Sequence, residues 1–447
     1  MNKIQTSNAK DKAFLFSGIG LLLLALGLSY IFSQNQSIQT IIFFLIAGLV
    51  TISFFALPPL GLALVIVSTP LVDLLPKVPF LGSSIPILGL IAVAAYFVNK
   101  RYQKNVEWNF SPVEITSIVF IIWVILSNPT ASIFGEFRSW ILTFVQLFVL
   151  LFLAAHFVQS KDDHMIIMII VSMGILISAF VAVIQSGGDF NEFQRAAGLS
   201  GGANTAARYF VYGLVLFLFL QDYFSNKWLL RLFFIFGILI LFSGIVLSGS
   251  RSGIVLLLLV ILTQVLQSFS GKTRSTIVFL LLIVGLFWYL NVASDTYLSP
   301  QAISTSIYEG TDTVGARYDA WEVGWNLFVD HPIRGVGIDM YSRYAPKYWS
   351  PTSSPVLSPH NTFIQVLSET GAIGLLLFGL LIFLTIKNSW HKVFHSRNSR
   401  DNPMYGIRRT WFILLIILLV GALTKTDLSD KLFWFLLGIN GKALKEI

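Results

Sequence analysis

Polar residues in this chain act as punctuation between long apolar runs. The runs lie at about 13–33, 38–57, 58–74, 84–98, 113–129, 137–158, 165–186, 206–221, 229–247, 253–268, 275–293, 361–387, 410–423 and 432–439. They are continuous rather than alternating, as in Leu21 to Leu28 or Ile254 to Val265. A membrane-crossing helix needs about 20 apolar residues, whereas the strands of a transmembrane barrel alternate apolar with polar. The pattern therefore predicts an all-α polytopic membrane protein with 12–14 transmembrane helices, the last run being short for a full crossing. The Pro58-Pro59 pair turns the chain between the second and third runs. The first run follows Lys3, Lys10 and Lys12, in the manner of a signal peptide. It is long, however, and no A-x-A site follows, so it reads as an uncleaved first helix.

Composition narrows the class. Of the 447 residues, 55% are hydrophobic and only 12% charged, with mean hydropathy +0.77. Soluble domains carry about 25% charged residues, so a soluble, disordered or fibrous chain is excluded. Cys is absent, which removes disulfides, thiol nucleophiles and Cys-based metal sites. The net charge of +8 would suit a nucleic-acid or anionic partner, but its placement gives another reason. If the N-terminus is inside and the runs alternate, inside loops hold 19 of the 30 Lys and Arg and 8 of the 22 Asp and Glu. The inside is then +11 and the outside −3, as the positive-inside rule expects.

This topology leaves one long outer loop, 294–359. The chain is read as one integrated domain, with an N-terminal bundle (1–293), the outer loop, and C-terminal helices (360–447). Tyr318, Trp321, Trp325 and Phe328 recur at helical spacing, predicting an amphipathic helix in the loop that lies on the membrane.

Candidate chemistry gathers on the outer side. Seven of the eleven outer basic residues are Arg, the side chain whose planar fork suits phosphate. Three stand in distinctive settings. Arg195 precedes the small-residue loop Gly198-Leu199-Ser200-Gly201-Gly202-Ala203-Asn204, which could admit a ligand to the backbone or lead into a helix capped by Asn204. Arg251 lies in the turn Ser248-Gly249-Ser250-Arg251-Ser252-Gly253, either an anion site or a snorkelling side chain. Arg317 opens the aromatic helix, as a phosphate ligand or a surface charge.

His360 is the candidate catalytic residue. In Ser358-Pro359-His360-Asn361-Thr362, Ser358 suits an N-cap and Pro359 the first helical position. That puts His360 in the first helical turn, where the positive helix end favours neutral imidazole, the form a general base needs. Leu367, Gly371 and Gly374 project near the same face, the glycines allowing close helix packing. Glu369 projects away from it. A capping or interfacial role is the alternative for His360. His331-Pro332 and Gly335-Val336-Gly337 read as turn chemistry, and His391 and His395, although four apart, lie in a basic inside loop. No zinc-protease or P-loop motif is present, so no metal and no cofactor is expected.

Together these residues resemble the Wzy/WaaL superfamily, the bacterial O-antigen polymerases and O-antigen ligases. The ligase pattern H-[NSQ]-x9-G-x-x-G is matched by His360-Asn361 and Gly371-Ala372-Ile373-Gly374, with Leu375 where Thr or Val often follows. Arg195 with Gly198 and Asn204, the Ser-Gly-Ser-Arg turn, Arg317 in R-x3-W, and Arg334-Gly335-Val336-Gly337 are also similar. The resemblance is strong over about 180–390 and implies a GT-C-like, metal-independent, inverting glycosyltransferase of lipopolysaccharide biosynthesis. It implies an active site on the periplasmic face of the bacterial inner membrane. The donor would be undecaprenyl-diphosphate-linked glycan and the acceptor lipid A-core or another glycan. Carried over, Arg195, Arg251 and Arg317 would bind the diphosphate and His360 would activate the acceptor, with Arg334, Asp339 and Asn361 in secondary roles. Ligase is favoured over polymerase. A transporter of lipid-linked saccharide, the alternative class, would show midplane sites and repeats, and neither is seen here.

Overall fold

The computed structural model describes residues 48–49, 51–53, 57–75, 110–128, 134–186, 195–267, 315–348, 358–394 and 403–442. The apolar runs at 13–33, 84–98 and 275–293, almost all of the run at 38–57, and the first part of the outer loop fall outside them. Among the described residues there is no strand, and the helices follow the apolar runs closely. They are α1 Pro58–Val67, α2 Pro112–Ser127, α3 Phe134–Phe157, α4 Lys161–Gln185, α5 Ala203–Tyr223, α6 Trp228–Leu247 and α7 Arg251–Gln267. The outer loop contributes α8 Gly315–Asp330 and the single turn α9 Tyr341–Tyr344. The chain closes with α10 Thr362–Phe394, α11 Pro403–Gly421 and α12 Lys431–Gly441.

Six helices among the described residues are long and apolar enough to cross a membrane, within α3, α4, α5, α6, α10 and α11. Helices α2 and α4 start with capping boxes, on Ser111 with Glu114 and on Ser160 with Asp163. The run at 58–74 does not form one long span. Helix α1 stops at Val67, where Ser68 turns its hydroxyl to the Val65 carbonyl and Pro70 follows. Its residues from Pro59 to Val67 are all buried, so α1 is an interior helix held against α4. Helix α12 is likewise interior, with Leu432 to Gly441 buried among α3, α10 and α11.

Contacts sort by the end of the bundle at which they occur. At one end, Glu114 on α2 meets His156 on α3 at 2.9 Å, and Trp411 on α11 donates to His164 on α4 at 3.0 Å. Lys392 near the end of α10 donates to the Ile439 and Asn440 carbonyls of α12. His391 lies at this end too, and among the described residues no group of His, Asp and Glu could hold a metal ion. At the other end lie the starts of α5, α7, α10 and α12 with the outer-loop elements. This segregation is what alternating antiparallel spans require.

Helix α8 has two working faces. Ala320, Val323, Gly324 and Leu327 are buried, at the spacing of one helical face. They form a small second core with Val336, Met340 and Tyr341, and Gly324 abuts Ile364 of α10. Tyr318 and Trp325 of the predicted aromatic stripe are 62% and 54% exposed, so this face is not covered by the described residues.

Candidate functional site

The site is built around the start of α10. Asn361, not Ser358, is the N-cap: its side-chain oxygen accepts from the Phe363 and Ile364 amides at 2.9 and 3.2 Å. His360 therefore stands just before the helix, in the left-handed region with φ 45°. Ser358 instead accepts from the His360 amide at 3.4 Å, closing a small turn. Local preference misled here because Ser-Pro and Asn-Thr both carry cap signals, and the buried Asn361 wins. Trp321 of α8 donates its indole N–H to the Pro359 carbonyl at 2.9 Å, so the aromatic helix fixes the residue next to His360.

A second strand of chain braces this turn from the other side. In the 422–430 loop, the Ala422 carbonyl accepts from the Thr362 amide and the Lys425 carbonyl from the Thr362 hydroxyl, both at 2.8 Å. The Thr362 oxygen in turn accepts from the Asp427 amide at 2.8 Å. Asp427 is gripped by buried Arg208 of α5 through Nη1 and Nη2, the latter at 2.8 Å. Asp430 caps α12 and accepts from the Tyr209 hydroxyl at 2.7 Å. A buried two-bond ion pair of this kind fixes geometry more than it adds stability, because desolvation offsets much of the attraction.

His360 is exposed on one side, while its other surroundings are crowded. Burial, and then the charges of Arg317 and Lys425, hold its pKa below the usual 6.5. Protonation is disfavoured, so imidazole is the resting form at neutral pH. The expectation of a neutral His thus has causes beyond the helix end proposed for it: two cations and partial desolvation.

Arg195 is tied to the Ser-Gly-Ser-Arg turn. It donates to the Ser248 carbonyl at 2.9 Å and to the Asn204 side-chain oxygen at 2.6 Å, and its neighbour Ala196 donates to the Leu247 carbonyl. Asn204 is thus an arginine partner and not a cap; the helix starts from Gly202. The adjacent Thr205 accepts from Lys425 Nζ at 2.9 Å. Hydrogen bonds therefore join the turn before Arg251 to Arg195, Arg195 to Asn204, and Thr205 to Lys425, whose charge, with that of Arg317, acts on His360. The small-residue loop after Arg195 serves the chain itself. Gly198 has φ 56° and lies where any Cβ would strike the Ser178 carbonyl, and Leu199 and Ser200 bond Ser178 at 3.0 Å.

Arg334, Asp339 and Glu369 lie elsewhere, at a break in α10. Gly371 has φ 69° and ψ −169°, so the helix is interrupted there and resumes at Ala372. Of the motif glycines, Gly374 lies against Trp123 of α2, a close helix approach, while Gly371 serves a loop instead. Gly371 lets the Ile333–Arg334 backbone approach, and Gly335 lets its own loop approach Glu369 and Thr370. Backbone groups freed by the break find partners outside the helix. The Ser368 and Glu369 carbonyls accept from the Val336 and Gly337 amides, and the Thr370 carbonyl from the Trp123 indole, each at 2.9 Å. The Ala372 amide donates to the Pro332 carbonyl at 2.8 Å. Asp339, also at positive φ, accepts from the Trp140 indole at 2.7 Å. The nine residues from 362 to 370 span about 14 Å of helix, separating this cluster from the His360 turn. Sequence reasoning missed Lys425, Thr362 and the Arg208–Asp427 brace, which no motif marks. The excess of Arg and Lys on the outer side was the only signal for Arg208 and Lys425.

The helices and the cation-rich turn define an all-α polytopic membrane protein with an ionic site at one end of its bundle. Residues 236–379 match the family model described as O-antigen ligase, so this part of the chain is similar to that family. The matched segment contains Arg251, Arg317, Arg334, Asp339, His360, Asn361 and both motif glycines, while Arg195 and Lys425 lie outside it. No curated protein sequence matches the chain.

Proposed function

We propose that the protein is a glycosyltransferase acting at the periplasmic face of the bacterial inner membrane. It would move a glycan from undecaprenyl-diphosphate to an acceptor, with O-antigen ligation to lipid A-core favoured over polymerisation. The observation that carries this reading is the His360 turn: an imidazole kept neutral by burial and by the charges of Arg317 and Lys425, with Lys425 bonded to Thr205, the neighbour of Arg195's partner Asn204. His360 takes the proton from the acceptor hydroxyl as its oxygen attacks the anomeric carbon. The bond from that carbon to the diphosphate oxygen breaks, and the leaving group departs with the electron pair. Charge developing on the diphosphate is met by Arg195, Arg251 and Arg317, whose fixed cations need little reorganisation. Attack opposite the leaving group inverts the anomeric centre. With cations of the chain in this role, transfer proceeds without a metal. The many spans suit a donor whose tail must remain in the bilayer.

The test is product analysis with purified full-length protein, lipid-linked glycan and lipid A-core, run with and without excess chelator. Glycan on the core in both arms supports ligation without metal. A lengthened lipid-linked chain would make the protein a polymerase. Activity lost to chelator and restored by Mg²⁺ would remove the metal-free mechanism, and absence of any transfer would remove the glycosyltransferase reading.

A further inference from the structure

We propose that Lys425 is a further donor-binding residue, placed to hold the lipid diphosphate between His360 and Arg195; this rests on the function proposed above. Three observations lead to it. First, Lys425 is fixed rather than waving in solvent. Its carbonyl is bonded to Thr362, its Nζ to Thr205, and the next residue, Thr426, brings its hydroxyl to 3.5 Å from Ser358. The ammonium therefore lies between the helix carrying Asn204, the partner of Arg195, and the turn carrying His360.

Second, its charge is poorly compensated. The nearest carboxylate, Asp427, is 3.9 Å away and already bonded through both oxygens to Arg208. Burial and the Arg208 charge lower the Lys425 pKa. A diphosphate arriving at the ammonium would reverse that penalty, so binding there draws on a cost already present in the free protein. Third, the ammonium side chain is 30% exposed, so a ligand can reach it. A compact ammonium adds a point charge to a site otherwise built from planar guanidinium groups.

The charged groups facing His360 are Arg317 on α8 and Lys425 on the 422–430 loop, both cations. Neutralising Lys425 removes one of them, so His360 would hold its proton to higher pH. The acid limb of kcat/KM should then move upward in pH.

The experiment uses detergent-purified full-length protein. Undecaprenyl diphosphate and undecaprenyl monophosphate, both without glycan, serve as probes, with binding read by native mass spectrometry. K425Q should bind the diphosphate about tenfold to a hundredfold more weakly, the range for one charge-assisted contact, and lose less for the monophosphate. K425R should keep most of the affinity. K347Q, an equal charge change at an exposed lysine paired with Asp330, should change it less than twofold. Folded K425Q that binds diphosphate like wild type overturns the assignment, and one that binds weakly but keeps the wild-type acid limb overturns the coupling of Lys425 to His360. If K425Q does not fold, T205V removes only the hydrogen bond to Nζ; several-fold weaker binding supports the assignment, and wild-type affinity overturns it. Wild-type protein that binds neither lipid overturns both this inference and the function beneath it. If K425Q binds weakly while H360A turns over normally, the general-base role falls and Lys425 stands.

Discussion

His360 owes its chemistry to neighbours that come from three separate stretches of chain. Trp321 holds the carbonyl before it, Asn361 starts the helix after it, and Arg317 and Lys425 keep the proton off its ring. Replacing it by Ala should leave binding of lipid diphosphate largely intact and cut turnover by about 10² to 10⁴, the usual range for loss of a general base. His360→Gln should not restore turnover, because an amide can hydrogen-bond but cannot take the proton. Donor affinity and turnover measured side by side decide this, and normal turnover by His360→Ala would remove the mechanism. The pH dependence follows from the same neighbours. With the pKa lowered from 6.5, the neutral base persists as pH falls, so kcat/KM should decline only below that value. A limb centred at or above pH 6.5 would contradict the arrangement. At this scale the place of His360 at the start of a long apolar helix was legible, because a polar residue before an apolar run is conspicuous. The cap was not, since Ser358 and Asn361 offer equivalent oxygens and only the fold chooses between them. Lys425 was legible only as a charge on the outer side, because its partners Thr205 and Thr362 are remote in sequence.

At the scale of the element, α10 is two helices joined at Gly371, and the join is made of other segments' hydrogen bonds. Helical projection treats 360–374 as continuous, and hydropathy does not register a break that leaves composition unchanged. The glycines were therefore visible, while the reason for one was misread: Gly371 admits the 332–337 loop, whereas Gly374 does lie against another helix, at Trp123 of α2. This predicts opposite outcomes for two similar substitutions in one helix. Gly371→Ala puts an L side chain at positive φ and against the Ile333 carbonyl, and should cost about 2 kcal/mol or more. Gly379→Ala lies eight residues on, where a Cβ meets open space, and should be neutral or stabilise by up to about 1 kcal/mol. Thermal unfolding of both variants in the same detergent checks the pair, and equal effects would mean that α10 is not broken at Gly371. Interior α1 and α12 show the same blindness in another form, since an apolar run looks alike whether lipid or protein covers it.

For the whole molecule, run length and continuity were sufficient to foresee helices of the right extent, because in lipid every backbone group must be satisfied within its own segment. Runs at 165–186, 206–221 and 229–247 became Lys161–Gln185, Ala203–Tyr223 and Trp228–Leu247. Sidedness rests on charge, and it is testable because the chain lacks Cys. A single Cys at Ser353 should react with an impermeant reagent in intact spheroplasts, whereas one at Ser396 should not; the reverse pattern inverts the topology and moves the site to the cytoplasm. The broken helix also carries a consequence for height. Trp123 donates its indole N–H to the Thr370 carbonyl at the join, and Trp140 donates to Asp339 of the loop packed beside it. Beyond the join, residues 372–386 are nearly all apolar, while on its near side stand Ser368, Glu369 and Thr370. Were the hydrocarbon to end at Gly371, His360 would stand roughly 14 Å beyond it, on a short pedestal of helix. Under the proposed function, sugars handled there would keep their water, and only the polyprenyl tail would stay below the waterline.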